Sequence, residues 1–121
     1  MPRDARSIPL AVVGAHLAGE RLHHQLTERG AELVAATTTS PRYRFHILDE
    51  SAPARPALER VDSDGASIEV EVWALDPAGF GTFVAGVSPP LAIGSVELAD
   101  GSWVSGFVCE SGGLTGALDI T

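Results

Sequence analysis

Ile8-Pro9-Leu10-Ala11-Val12-Val13-Gly14-Ala15-His16-Leu17-Ala18-Gly19 is the stretch on which the reading of this chain turns. Its first six residues are apolar without alternation, the pattern of a strand covered on both faces. Gly14 stops the run, and a glycine-bounded turn carrying His16 leads to Gly19. From Glu20 to Arg29 the pattern changes to a helical one, with Leu22, Gln25, Leu26 and Arg29 at 3/4 spacing. Glu20 in its first turn and Arg29 in its last complement the helix dipole, and Gly30 supplies the stop. A buried strand, a glycine turn and a helix therefore open the fold.

Downstream, Ala31 to Thr39 reads as a strand ended by Ser40-Pro41. Tyr43, Phe45 and Ile47 alternate with Arg44, His46 and Leu48, as in a half-buried strand. Asp49 to Pro56 reads as a loop, Ala57 to Val61 as a short edge strand, and Asp62-Ser63-Asp64-Gly65 as a turn. Ile68 to Leu75 alternates apolar and acidic residues at period two, the clearest strand of the chain. Asp76-Pro77 opens a second helix with Phe80, Phe83, Val84 and Val87 on one face, at the cost of two internal glycines. Ser88-Pro89-Pro90 ends it. Ile93 to Leu98 and Trp103 to Cys109 flank the hairpin turn Ala99-Asp100-Gly101-Ser102. Six or seven strands and two short helices predict an α+β fold: a small mixed β-barrel with flanking short helices. The 121 residues suit one domain, 1–121, with a loose tail over 1–7.

Composition limits the function. The chain is 45% hydrophobic and 20% charged, as a folded domain is. Its net charge is −8, and residues 61–121 hold nine acids with no Arg or Lys, a surface that repels phosphate backbones and argues against nucleic-acid binding. With no lysine anywhere, Schiff-base chemistry, a P-loop lysine and a serine–lysine amidase apparatus are excluded. The lone Cys109 can form neither an internal disulfide nor a thiolate zinc site, and reads as a buried, inert thiol. The first apolar run is too short for a signal or a membrane span, so a cytoplasmic location is expected, with no membrane partner.

Few residues can carry chemistry. The turn Gly14-Ala15-His16-Leu17 ahead of a helix suits a small anion, with His16 as titratable donor or base; the plainer reading is a strand-to-helix turn with a partly buried histidine. His23 and His24 are adjacent and so point to different helix faces, and His16, His23 and His46 lack metal-ligand spacing. These histidines read as surface or cap residues, and no metal or cofactor is expected. Asp62 to Gly65 resembles the start of a calcium loop, but the position of the closing glutamate is taken by Trp73. Glu69 and Glu71 share one strand face, read as a solvated outer face.

Three segments resemble the C-terminal domain of allophanate hydrolases: Ala11 to Leu17 with Leu22, Gln25 and Leu26; Ile68 to Leu75; and Pro90-Leu91-Ala92-Ile93-Gly94-Ser95-Val96-Glu97-Leu98-Ala99-Asp100-Gly101 followed by Gly106 to Glu110. The resemblance covers about residues 8–121 and implies a gamma-glutamylcyclotransferase-like barrel. It implies a domain that works beside an amidase domain or subunit in urea breakdown, either decarboxylating N-carboxycarbamate or serving as a non-catalytic assembly module. It makes His16 the catalytic residue and Gly14, Ala15, Leu17, His23 and Gly94 the substrate-binding set for a small carboxylate or carbamate. A homodimer is compatible with it, and a bacterial source is expected. The chain departs from the family pattern at His23, where Asn is frequent, and at Leu118, where a basic residue is usual. Between Asp76 and Glu97 there is no acid, so cyclotransferase chemistry itself is not expected.

Overall fold

The computed structural model describes residues 6–48, 56–114 and 116–121, and its backbone follows one mixed sheet of eight strands. These are β1 (Ile8–Val12), β2 (Glu32–Thr38), β3 (Tyr43–Ile47), β4 (Pro56–Arg60), β5 (Glu69–Leu75), β6 (Leu91–Glu97), β7 (Trp103–Cys109) and β8 (Leu118–Asp119). Two short α-helices, α1 (His24–Thr27) and α2 (Pro77–Ala85), and 3-10 turns at Gly14–His16 and Ser111–Leu114 complete it.

The strand order is β2-β5-β1-β7-β4-β3-β8, with β6 on the other edge of β7. β7 pairs with β6 along its whole length, from Leu91↔Cys109 to Glu97↔Trp103. Its remaining edge is shared, first with β1 in parallel at Ser105 and Gly106, then with β4 at Val108. That division splays the sheet, and it curls into an incomplete barrel. A bridge between Thr39 and Leu98 ties the end of β2 to the end of β6, flanked by bonds from Ser40 N–H to Glu97 O and from Ala99 N–H to Thr38 O, each 3.0 Å.

Both faces of the sheet are covered, as the unbroken apolar run of β1 requires. Ala11 and Val13 face the concave interior with Tyr43, Leu58, Val70, Val72, Val96 and Leu98. Leu10 and Val12 face outward, against Leu26 of α1, Phe83 of α2, Leu75 and Phe107. The interior also holds one polar pin: the hydroxyl of the fully buried Tyr43 accepts the N–H of Glu97 at 2.9 Å.

Several expectations are corrected. The first helix runs only from His24 to Thr27, because the Leu22 N–H turns back to Ala15 O and the His23 N–H bonds three residues back to Glu20 O, a turn geometry and not an α ladder. Gly30, at φ 68°, still ends it in the left-handed conformation that glycine adopts without strain. β4 is not an edge strand: it lies between β3 and β7, with Ala57 and Leu58 buried. Eight strands replace six or seven, because the tail adds β8 against β3. The second helix matches, with Asp76 Oδ1 accepting the Gly79 N–H at 2.6 Å and Pro77 in the first turn. The loop expected at 49–56 falls on 49–55, outside the described residues, as do residues 1–5 of the expected tail.

Candidate functional site at the end of the first strand

β1 ends at a sharp corner. Gly14 has φ 55°, and a Cβ there would sit 2.6 Å from Pro56 Cγ, so both the conformation and the crowding require glycine. The chain then makes one 3-10 turn whose carbonyls are all engaged. The carbonyls of Gly14, Ala15, His16 and Leu17 accept from Leu17 N–H, Leu22 N–H, His23 Nδ1–H and Glu20 N–H, at 2.8–3.1 Å. The N–H of His16 donates to Val13 O, and that of Ala18 donates to Glu71 Oε1 at 2.8 Å.

His16 is the centre of this corner. Its ring is half-buried, stacked on Phe107 with centroids 5.3 Å apart and edge-on to Phe83 at 5.4 Å. Nε2 bonds Gln25 Oε1 at 2.8 Å; an amide oxygen can only accept, so Nε2 carries the proton and Nδ1 is the acceptor nitrogen of the neutral ring. Burial pushes the His16 pKa below the ordinary 6.5, with the neighbouring His23 and His24 adding to the depression and the Gln25 bond opposing it. The imidazole is therefore predominantly neutral at neutral pH.

Of the expected site residues, Gly14, Ala15, His16, Leu17 and His23 come together here. His23 folds back over the turn, its Nδ1–H on the His16 carbonyl and its ring against Trp73 at 4.8 Å. Gly94 lies in the β6–β7 ladder opposite Gly106, beside the Ile93↔Phe107 pair, where a Cβ would crowd Val108 Cγ2 at 3.1 Å. His24 is exposed and bonds Arg21 O. His46 is buried, not a surface residue as expected: on β3 it lies opposite the buried Ala57 of β4, and its Nε2 bonds Glu59 Oε1 at 3.0 Å. No group of three or more His, Cys, Asp or Glu gathers in a metal-holding arrangement among the described residues. Cys109 is half-buried, not buried; its Sγ–H donates to Glu110 O, and burial raises its pKa.

Three residues that sequence reasoning did not assign also build the corner. Glu71 and Trp73 lie on the outward face of β5, but that face is roofed by residues 14–27, so the carboxylate meets backbone and indole and not only water. Arg29 joins the two helices: it donates from Nε to Thr82 Oγ1 at 3.0 Å, from a terminal nitrogen to Gln25 O, and lies 5.8 Å over the Phe83 ring. The helical spacing of Gln25 and Arg29 was the available signal. A separate groove of about 310 Å³, lined by Pro9, Val34, Val72, Ala74, Leu98 and Val104 among others, lies toward the opposite end of β1 and includes none of the expected site residues.

Residues 8–121 match the model of the family described as the allophanate hydrolase C-terminal domain. The chain is 46% identical over 119 residues to a urea amidolyase of Saccharomyces cerevisiae, covering 95% of this chain and 6% of that protein. A Kluyveromyces lactis allophanate hydrolase structure superposes with a TM-score of 0.88 at 43% identity, over 94% of this chain and 19% of that one. A protein described as specific to uropathogenic E. coli superposes with a TM-score of 0.85 at 31% identity, over 95% of this chain and 88% of that one. The expectation of a bacterial source is overturned by the curated relatives, which are yeast urea amidolyases at 43–46% identity. Among the described residues, no helix is long and apolar enough to cross a membrane.

Proposed function

Because this chain belongs to the family of allophanate hydrolase C-terminal domains, we propose that it binds a small carboxylate or carbamate at the Gly14–Leu17 corner and decarboxylates N-carboxycarbamate beside an amidase in cytoplasmic urea breakdown. The observation that carries this reading is the placement of His16, a neutral ring held on three sides by Gln25, Phe83 and Phe107 and still half open to solvent. In the reaction the bond between nitrogen and the departing carboxylate carbon breaks, its electron pair stays on nitrogen, and carbon dioxide leaves. A proton must then reach that nitrogen. With its Nε2–H held by Gln25, the neutral His16 ring offers Nδ1, which takes the proton of the substrate's carbamic acid O–H and delivers it to that nitrogen. The same reading takes the curled sheet as gamma-glutamylcyclotransferase-like, without the cyclotransferase reaction.

The test is a thermal-shift titration with malonate, for wild type and His16→Ala. Ligand binding to the folded state raises the melting temperature by mass action. A malonate-dependent rise that the variant loses supports the site; equal shifts in both sink it. A second reading, a non-catalytic assembly module for an amidase, is favoured by one observation: the turn's Ala18 N–H already holds the carboxylate of Glu71. No shift with any small carboxylate, combined with co-migration with an amidase in gel filtration, selects that reading.

A further inference from the structure

We propose that Glu71 is a positioning residue of this corner, fixing the orientation of His16 from beneath. The proposal rests on the reading of His16 as the ligand-facing group. Glu71 sits in the body of the sheet, in register with Val12 of β1 and Ala36 of β2, at the strand position just below the corner. One of its oxygens, Oε1, accepts two bonds: the Ala18 N–H at 2.8 Å and the Trp73 indole N–H at 3.1 Å. Through Ala18 it holds the exit of the turn. Through Trp73 it holds the indole against the His23 ring, 4.8 Å away, and the His23 Nδ1–H in turn holds the His16 carbonyl. The residue on each side of Leu17 is thus tied, directly or through two rings, to one carboxylate. These ties fix the backbone from which the His16 ring projects, and the Nε2 bond to Gln25 keeps the ring on Phe107. The neighbouring Glu69, exposed and two residues along the same face, makes no such contact with the corner among the bonds described.

What the corner needs from Glu71 is an acceptor oxygen at that place. Glutamine supplies the same oxygen on a side chain of the same length, whereas alanine supplies none. Four proteins decide the matter: wild type, Glu71→Ala, Glu71→Gln and, as control, Glu69→Ala. In Glu71→Ala the Ala18 amide is expected to exchange with deuterium about fivefold to tenfold faster, the effect of losing about one hydrogen bond's net contribution. The His16 ring proton resonances are expected to move, since the ring-current environment of Phe107 changes. Glu71→Gln restores both, and Glu69→Ala disturbs neither. Where wild type binds malonate, Glu71→Ala weakens that binding by about fivefold on the same hydrogen-bond scale and Glu71→Gln recovers most of it.

Wild-type exchange at Ala18 together with unshifted His16 resonances in Glu71→Ala overturns the proposal. So does an unchanged malonate affinity alongside a loosened Ala18, which reduces Glu71 to a local structural tie. Failure of wild type to bind malonate counts against the proposed function instead, and the exchange and resonance measurements still decide whether Glu71 orients His16.

Discussion

The imidazole of His16 lies stacked on the ring of Phe107, their planes 27° apart, so that the residue at the end of β1 is covered by one from the middle of the sheet. Burial is the main reason its pKa falls below 6.5, and this ties stability to pH. Below 6.5 the unfolded chain takes up the proton before the folded one does. The His16 contribution to stability is therefore intact above 6.5 and is lost as pH falls from 6.5 through the lower, folded value. Melting temperatures taken from about pH 7.5 down to about pH 5 should fall less steeply for His16→Gln than for wild type. Phe107→Leu should move the His16 titration, followed by NMR, back up toward 6.5. Parallel melting profiles for wild type and His16→Gln would falsify this account of the ring.

Gly79 and Gly81 lie in the same helix and should respond in opposite ways to alanine. A Cβ at Gly81 meets nothing within 4 Å, so Gly81→Ala gains helix propensity and should stabilise by about 0.5–1 kcal/mol. At Gly79 the same carbon lands 3.1 Å from Asp76 Oδ1 and 3.4 Å from Arg29 Cβ, where it presses on the cap and on the α1–α2 contact. Gly79→Ala should recover little or none of that gain in chemical denaturation. Equal effects at the two positions count against this packing.

Gly106 admits β1 and β6 to β7 at once. Its added Cβ would lie 2.7 Å from Val96 Cγ2 and 3.2 Å from Ala11 O, groups with no room to retreat. Gly106→Ala should cost about 1–3 kcal/mol by overpacking, read as a lower denaturant midpoint at unchanged slope.

The C-terminal residues are held by polar contacts. Asp119 accepts from Arg44 Nε at 2.6 Å and from the Thr121 N–H at 2.9 Å, while Thr121 Oγ1 accepts the Phe45 N–H at 2.7 Å. The Thr121 bonds, then Arg44, hold the Asp119 carboxyl well below its ordinary 3.8. Asp119→Ala should raise hydrogen exchange at the Ile120 amide, which donates to Phe45 O, several-fold, and hardly move global unfolding, because the group is exposed. The Asp119 contribution is present above its ordinary value and is lost as pH falls through the depressed one.

Much of the architecture was legible where a segment obeys one period. β1 has no polar residue because both of its faces are packed, and β5 alternates because its even residues fill the interior. The Asp76-Pro77 cap announced α2 by local chemistry. What escaped was decided by partners far along the chain. Ala57 to Val61 reads as an edge strand because it is short, yet its neighbours on both sides come from β3 and β7. Glu71 reads as a solvated outer face because alternation cannot say what roofs that face. At the corner, the residue types of Gly14 and His16 were visible in the sequence, but not the engagement of the turn's carbonyls, which depends on Leu22 and His23 folding back.

The position of β1 in the sheet bears on how the chain acquires its structure. Ile8 to Val12 meet Leu75 back to Glu71 on one side, and Leu10 and Ala11 meet Ser105 and Gly106 on the other. During synthesis β1 is made well before β5 and, by most of this domain, before β7, so its apolar run waits for both neighbours. The entropy of closing such long loops is met before any pairing compensates it, which places the domain among the slower, millisecond-to-second folders of its size. During that interval the apolar run Ile8 to Val13 is open to association with other chains.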